Sequence, residues 1–246
     1  MKYLISVSYD GSKFNGFQKL KNELTVQGEL ERVISKIAKE KVSVKGSGRT
    51  DKGAHALDQK CHFEINLDLD IYNIKRSIND LINKSIYVKD CQKINDNFHA
   101  RFSVKEKCYH YYINNKEYNP IRKDYVYYYR DKLNLSLMEE AIKIFIGKHS
   151  FKNFVSGKRK NYDCEIISAK IYKENEDICF EFIGASFYTY MIRNMVGALL
   201  EVGKSNMSKE DLKRLLDNET DAITYTTIPA CGLYLISVKY EWKNSY

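Results

Sequence analysis

One short segment of the chain combines a carboxylate, two cations and three glycines. It runs from Gly46 to Ala56, and in it Asp51 lies between Arg49 and Lys52. Glycine lets a ligand approach the backbone closely, and neighbouring positive charge favours the ionised form of a carboxylate. The segment therefore predicts an accessible, charged oxygen nucleophile at Asp51. The alternative interpretation is an ordinary turn in which Thr50 or Asp51 caps a following helix.

A second feature with chemical potential is an arginine inside an apolar segment. Residues 187–200 are apolar on nearly every face of a helix except at Arg193 and Asn194, and a helix that is hydrophobic all round is buried. Arginine is rarely buried unless it is paired. We therefore expect Asp51 to be its partner, in an ion pair that joins the two halves of the chain. The alternative is that Arg193 reaches solvent along its aliphatic stem.

The tyrosines supply a third feature, because 20 of them are present. Tyr109, Tyr111 and Tyr112 lie on one expected strand, shortly after the basic residues His99 and Arg101. Strand tyrosines usually pack in the core or across strands. Aromatic rings beside basic side chains also hold single-stranded or extruded bases by stacking. Spacing alone leaves both interpretations open.

The composition is that of a basic globular chain. Its 246 residues are 43% apolar and 13% aromatic, which is ample for a packed core. The formal net charge of +8 suits a polyanionic partner such as nucleic acid, although lysine-rich runs also form ordinary solvated surfaces. No stretch approaches the roughly 18 consecutive apolar residues of a membrane span, and the first residues are strand-like. We expect a cytoplasmic protein.

Cysteine and histidine spacing gives no support for a metal or redox site. The six cysteines never come closer than fifteen residues, so the short pairings typical of zinc and iron–sulfur sites do not occur. We expect reduced, mostly buried thiols. His55, Asp58 and His62 are near enough in sequence to approach one another, but nothing else supports a metal there. Neither a Walker loop nor a dinucleotide fingerprint occurs, so we predict no cofactor and no metal.

Apolar periodicity predicts an α+β chain of two similarly built halves. In the first half we expect strands at 2–9, 59–65 and 86–94 and helices at 25–39 and 72–83, with Thr25 as an N-cap. In the second half we expect strands at 107–113, 164–172, 178–184 and 232–240 and helices at 136–146, 187–202 and 209–217. The predicted division is 1–104, which carries the aspartate loop, and 105–246, which carries Tyr109 and Arg193. We expect a rigid body with a cleft between the halves.

Six motifs in order make the whole chain resemble the TruA-type tRNA pseudouridine synthase family. They are Tyr9-Asp10-Gly11 with Phe14, Gly16 and Gln18; Thr25-Val26-Gln27 with Leu30-Glu31; Gly46 to Gln59; Phe98 to Ser103 with Tyr109; Met191 to Gly197; and Pro229-Ala230 with Gly232 to Leu235. The resemblance implies two RRM-like (ferredoxin-like) halves that share a mostly antiparallel sheet around a basic cleft, usually as a homodimer. It also implies isomerisation of uridine to pseudouridine in the tRNA anticodon stem-loop, without cofactor or metal.

The resemblance also assigns roles to individual residues. It makes Asp51 the catalytic aspartate, Arg193 its basic partner, Tyr109 the tyrosine against the target uracil and Arg49 the residue that helps to extrude the base. On this interpretation Gly46 and Gly48 give clearance for the extruded nucleotide.

Departures from the family pattern bear on the choice of substrate. Phe17 stands where the family usually has tryptophan, and residues 163–165 read Asp-Cys-Glu where it tends to carry an arginine. The loss of positive charge there leaves open a paralogue that acts on ribosomal RNA or on another tRNA site. A non-catalytic RNA-binding protein on the same scaffold is the alternative from another class. It explains charge and aromatics but not a carboxylate, which repels phosphate.

Overall fold

The structure, a computed structural model, describes residues 1–241. The chain divides into two compact units: residues 1–105 together with 234–241, and residues 106–233. In chain order the strands and helices are β1 (Lys2–Tyr9), α1 (Val26–Ala38), β2 (Lys45–Gly46), β3 (His55–Glu64), α2 (Ile71–Leu81), β4 (Ile86–Ile94), β5 (Val104–Asn114), β6 (Tyr127–Tyr128), α3 (Leu135–Ala141), β7 (Gly147–Ser150), β8 (Asp163–Glu174), β9 (Asp177–Gly184), α4 (Met191–Gly203), α5 (Lys209–Leu216) and β10 (Leu233–Tyr240).

The first unit is a sheet in the order β4-β1-β3-β10, with β2 paired to β3. Strand β1 is antiparallel to β3 and β4, whereas β10 is parallel to β3 with Tyr234 opposite His55. The core includes Tyr3 and Ile5 of β1 and Ile34 of α1, all buried. Helix α1 begins where the Thr25 hydroxyl accepts the Gly28 N–H, as its sequence predicts.

The second unit is a sheet in the order β5-β9-β8-β7, in which neighbouring strands run antiparallel, with β6 parallel to β5. Tyr111, Phe180 and Phe182 are fully buried in the sheet, and Met195 and Leu199 are fully buried in α4. Both units thus confirm the α+β class and the mostly antiparallel pairing.

The predicted elements are confirmed, but several limits differ: β3 begins at His55 rather than at residue 59, β5 begins at Val104 rather than at residue 107, and two helices start or end elsewhere. The helix expected at 187–202 begins at Met191, because Tyr190 adopts a left-handed φ of 63° at its N-cap. The helix expected at 136–146 is α-helical only to Ala141 and then tightens into a 3-10 turn over Ile142–Phe145. Within residues 1–241, no helix is both long and apolar enough to cross a membrane.

Candidate functional site

The segment of residues 47–54, called the Asp51 loop below, connects β2 to β3 in the first unit. Thr50 is buried, Asp51 is half-buried and Arg49 is exposed, so burial changes from one residue to the next along the loop. The chain after Asp51 turns through two residues and enters strand β3 at His55. The alternative interpretation of Thr50 or Asp51 as a helix cap is therefore wrong.

Hydrogen bonds hold the backbone on both sides of Asp51. The Phe17 N–H donates to the Thr50 carbonyl at 3.2 Å, and the Ala54 N–H donates to the Asp51 carbonyl at 3.1 Å. The Tyr9 and Thr50 hydroxyls share a buried hydrogen bond of 2.8 Å. The turn that carries Asp51 is therefore fixed through its carbonyls and through the neighbouring Thr50 side chain.

A second set of bonds fixes the start of the loop to β3. Ser47 and Gln59 are fully buried, and the Ser47 hydroxyl donates to the Gln59 side-chain oxygen. The Gln59 amide nitrogen donates to the Gly48 carbonyl at 3.1 Å, and the Ser47 N–H donates to the Lys60 carbonyl at 2.8 Å. Because buried polar groups here satisfy one another, any shift of the loop breaks more than one bond.

Glycines bring other segments against the loop. Gly16 has a φ of +84°, and a methyl group there would lie 3.1 Å from the Thr50 carbonyl oxygen. A methyl group at Gly46 would lie 2.5 Å from the Phe17 ring. Protein therefore fills the space beside Gly46, contrary to the expectation that this glycine gives clearance for a nucleotide.

His55 and its partners form a support that spacing did not reveal. The ring is 3% exposed, its Nδ1 accepts the Gly11 N–H at 3.1 Å, and Nδ1 lies 3.4 Å from an Asp10 oxygen. The same ring stacks on Tyr234 with centroids 4.6 Å apart. The only sequence signal was the Tyr9-Asp10-Gly11 motif, in which the aspartate and the glycine meet His55.

The other histidine considered for a metal site also has a structural role. His62 Nδ1 accepts the Ala100 N–H at 3.1 Å, and its ring packs edge-on against His99 with centroids 4.7 Å apart. Burial, together with the nearby positive charges of His99 and Lys2, lowers the pKa of His62 to about 4. His62 is therefore a neutral hydrogen-bond acceptor near neutral pH.

Arg193 lies on α4 in the second unit, where it is half-buried among buried neighbours. Its Nε donates to the Ile228 carbonyl at 2.6 Å, and its guanidinium lies 4.6 Å from the centre of the Tyr190 ring. One carbonyl and one ring thus fix the stem and the plane of the guanidinium. The predicted burial of this helix is confirmed.

Strand alternation separates the three tyrosines of β5. Tyr109 is 6% exposed and packs edge-on against Phe187, with centroids 5.2 Å apart. Tyr111 donates to the Pro229 carbonyl at 2.6 Å, and burial raises its pKa well above the usual value. Tyr112 points to the opposite face, where its hydroxyl lies 3.0 Å from His110 Nδ1. Tyr111 is therefore a core residue.

The sequence-predicted site residues fall into two pairs. Asp51 and Arg49 share one loop of the first unit, and Tyr109 and Arg193 belong to the second unit.

Known proteins match the chain over almost its whole length. The model of a family described as tRNA pseudouridine synthase matches residues 5–103 and 141–241. A tRNA pseudouridine synthase A of Borrelia hermsii is 37% identical over 243 residues, which are 98% of this chain and 99% of that protein. The protein of the same name from Borreliella afzelii is 36% identical over 244 residues, 98% of this chain and 99% of that protein. The one from Limosilactobacillus reuteri is 35% identical over 247 residues, with coverage of 97% and 96%.

Proposed function

The chain belongs to the tRNA pseudouridine synthase family, and we propose from this that it isomerises uridine to pseudouridine in the anticodon stem-loop of tRNA with Asp51 as the catalytic residue. The observation that supports this role is the Asp51 loop itself. Its backbone is fixed by Phe17 and Ala54, while Asp51 as a residue is only half-buried. A positioned, accessible carboxylate is what nucleophilic or base catalysis requires.

The proposed reaction conserves every atom of the uridine. The N1–C1′ glycosidic bond breaks, the uracil turns, C5 bonds to C1′, the proton on C5 leaves and N1 gains a proton. Ionised Asp51 initiates the cleavage by attack at C1′, by attack at C6, or by removal of the proton on C2′. The exchange of one glycosidic bond for another needs no external oxidant, reductant or energy source.

Arg193 is the proposed source of positive charge for this step. Its guanidinium is oriented by the Ile228 carbonyl and the Tyr190 ring, so its remaining N–H groups have a defined direction. In the proposed arrangement they hold Asp51 ionised and oriented.

Tyr109 and Arg49 are the proposed substrate-binding residues. Extrusion of a base from its stack costs a few kcal/mol. Arg49 is exposed two residues before Asp51, so it is suited to fill or replace the position of the extruded base. Tyr109, held edge-on by Phe187, offers a ring against which the uracil packs.

We further propose two RRM-like halves and a cytoplasmic homodimer. The order β4-β1-β3-β10 of the first unit and the order β5-β9-β8-β7 of the second agree with such halves. The net charge of +8 suits a tRNA partner. Light scattering measures the mass of the protein in solution and so tests the dimer. A mass equal to that of one chain would exclude it.

The catalytic role is tested with Asp51→Asn, which removes the charge and preserves the shape. We expect pseudouridine formation on anticodon stem-loop RNA to fall on the order of 10⁴-fold, with RNA binding retained. Asp58→Asn is the matched control, because Asp58 is a half-buried carboxylate of the same unit that pairs with Lys60 at 2.9 Å. Activity retained by Asp51→Asn would overturn the assignment. If the wild-type protein shows no activity and Asp51→Asn binds RNA more tightly than the wild type, the non-catalytic alternative would be favoured.

The RNA target is tested by carbodiimide mapping of pseudouridine in cells with and without the gene. We expect the loss to lie in the anticodon stem-loops of tRNAs. Loss confined to ribosomal RNA would favour the paralogue that the altered residues 163–165 left open.

A further inference from the structure

Three side chains of types that can bind metal ions meet on one face of the sheet in the second unit. Cys108 and His110 are two residues apart on β5, so they share a face, and Glu181 of β9 lies in register with His110. Their ligand atoms all lie within 4.8 Å of one another. His110 Nε2 lies 3.3 Å from a Glu181 carboxylate oxygen.

We propose that Cys108, His110 and Glu181 bind one zinc ion. A thiolate, an imidazole and a carboxylate together form a donor set that suits zinc. Calcium and magnesium bind oxygen ligands instead. Donors around one tetrahedral zinc are roughly 3.3–3.8 Å apart. The His110–Glu181 distance of 3.3 Å already satisfies this, and the thiol, which lies within 4.8 Å of both other ligand atoms, would move closer by side-chain rotation.

The second nitrogen of His110 is positioned as in established zinc sites. The Tyr112 hydroxyl lies 3.0 Å from His110 Nδ1, on the opposite side of the ring from Glu181. A hydrogen bond from Nδ1–H to this oxygen places the lone pair of the neutral ring on Nε2. Such outer hydrogen bonds orient ligating histidines.

Burial and charge suit a partly enclosed ion. Cys108 is 8% exposed, and the side chains of His110 and Glu181 are 13% and 18% exposed. One thiolate and one carboxylate balance the charge of the ion. Lys170 is the cation in register with Glu181 on β8, so the competing arrangement is a Glu181 carboxylate that pairs with His110 or Lys170.

A second candidate triad overlaps the first but is less suited to zinc. It consists of His110, Glu174 and Cys179, and Glu174 is exposed. We therefore assign the ion to Cys108, His110 and Glu181.

The site would tie β5 to β9 behind Tyr109. Cys108 and His110 flank Tyr109 in sequence, and alternation puts them on the opposite face of the strand. Zinc would therefore stiffen the strand that carries Tyr109 without touching its ring. Because binding to the folded state alone stabilises it, added zinc should raise the unfolding temperature.

The experiment uses the full-length protein, reconstituted with zinc, dialysed and analysed by mass spectrometry for bound metal. We expect one zinc per chain, and with Co²⁺ the near-ultraviolet charge-transfer band of a thiolate ligand. Cys108→Ser should lose that band and the zinc-dependent rise in unfolding temperature. The matched control is Cys91→Ser, a buried cysteine of the first unit, which should keep both.

Glu181→Gln gives a second measurement should Cys108→Ser fail to fold. It preserves shape, and we expect zinc affinity to fall about tenfold or more. Wild-type protein that retains far less than one zinc would overturn the proposal, since Glu181 would then be only an ion-pair partner. A thiolate band that survives Cys108→Ser but disappears in Cys179→Ser would overturn it in favour of the second triad.

Discussion

Gly16→Ala is the sharpest test of how the Asp51 loop is held. Gly16 has a φ of +84°, a conformation that costs an alanine about 1–2 kcal/mol. Its added methyl group would lie 3.1 Å from the Thr50 carbonyl oxygen and 3.3 Å from the Lys52 nitrogen. Both contacts are with backbone on either side of Asp51, so the loop has to move by a few tenths of an ångström.

The chain contains a matched control at Gly157. Its φ is +86°, and an added methyl group there would meet nothing within 4 Å. Both variants therefore carry a similar conformational cost, partly offset by the lower entropy of an unfolded alanine. We expect each to lower the unfolding temperature by about 2–4 °C for every kcal/mol lost.

Only Gly16→Ala should reduce catalysis. A catalytic group displaced by about 1 Å can cost 100-fold in rate, so a shift of a few tenths should lower kcat about tenfold. Kinetics of pseudouridine formation well below the unfolding temperature separate this loss from a loss of folded protein. Equal kcat in the two variants would refute the claim that Gly16 positions Asp51.

Two further predictions concern a cation and a buried histidine. Arg193→Lys keeps the charge but loses the Nε donor to Ile228 and the planar stack on Tyr190. It should lower kcat more than it raises KM, and a change in KM alone would exclude a role at the reacting atoms. Because the pKa of His62 is lowered from 6.5 to about 4, the unfolded chain binds more protons between these values. The contribution of His62 to stability is therefore full above about pH 6.5, and in urea unfolding this group should account for a loss of about 2 kcal/mol from pH 7 to pH 5. His62→Asn should flatten that slope, and an unchanged slope would contradict it.

Local sequence determined the long elements, whereas short ones depend on tertiary pairing. The limits of β1 and β4 are as predicted, because the apolar residues of each segment already identify it as a strand. Strands β2, β6 and β7 span two to four residues and exist only because β3, β5 and β8 lie beside them. Segments this short contain too few residues for an alternating apolar pattern to be recognised in the sequence.

The start of α4 was misplaced for a related reason. Residues 187–190 are apolar or aromatic enough to continue the helix pattern, yet Tyr190 takes a left-handed conformation. The Tyr190 ring then lies under the Arg193 guanidinium. A single left-handed residue at the start of a helix is invisible to periodicity.

The Asp51 loop shows the same limit at the level of a site. Residue types alone indicated a charged carboxylate in a glycine turn, and the turn is there. Its supports come from Gly16, Phe17 and Gln59, which only the fold brings to it. Gly46 illustrates the error this allows, because the space attributed to a nucleotide is filled by Phe17.

Strand β5 explains why spacing rules missed the cysteine–histidine–glutamate cluster. Such rules look for ligands close together along the chain, but Glu181 reaches His110 by strand register. The alternation that sends Tyr109 to one face sends Cys108 and His110 to the other. The two faces should therefore respond differently: a substitution at Tyr109 should alter catalysis and leave zinc binding intact, whereas Cys108→Ser should abolish zinc binding.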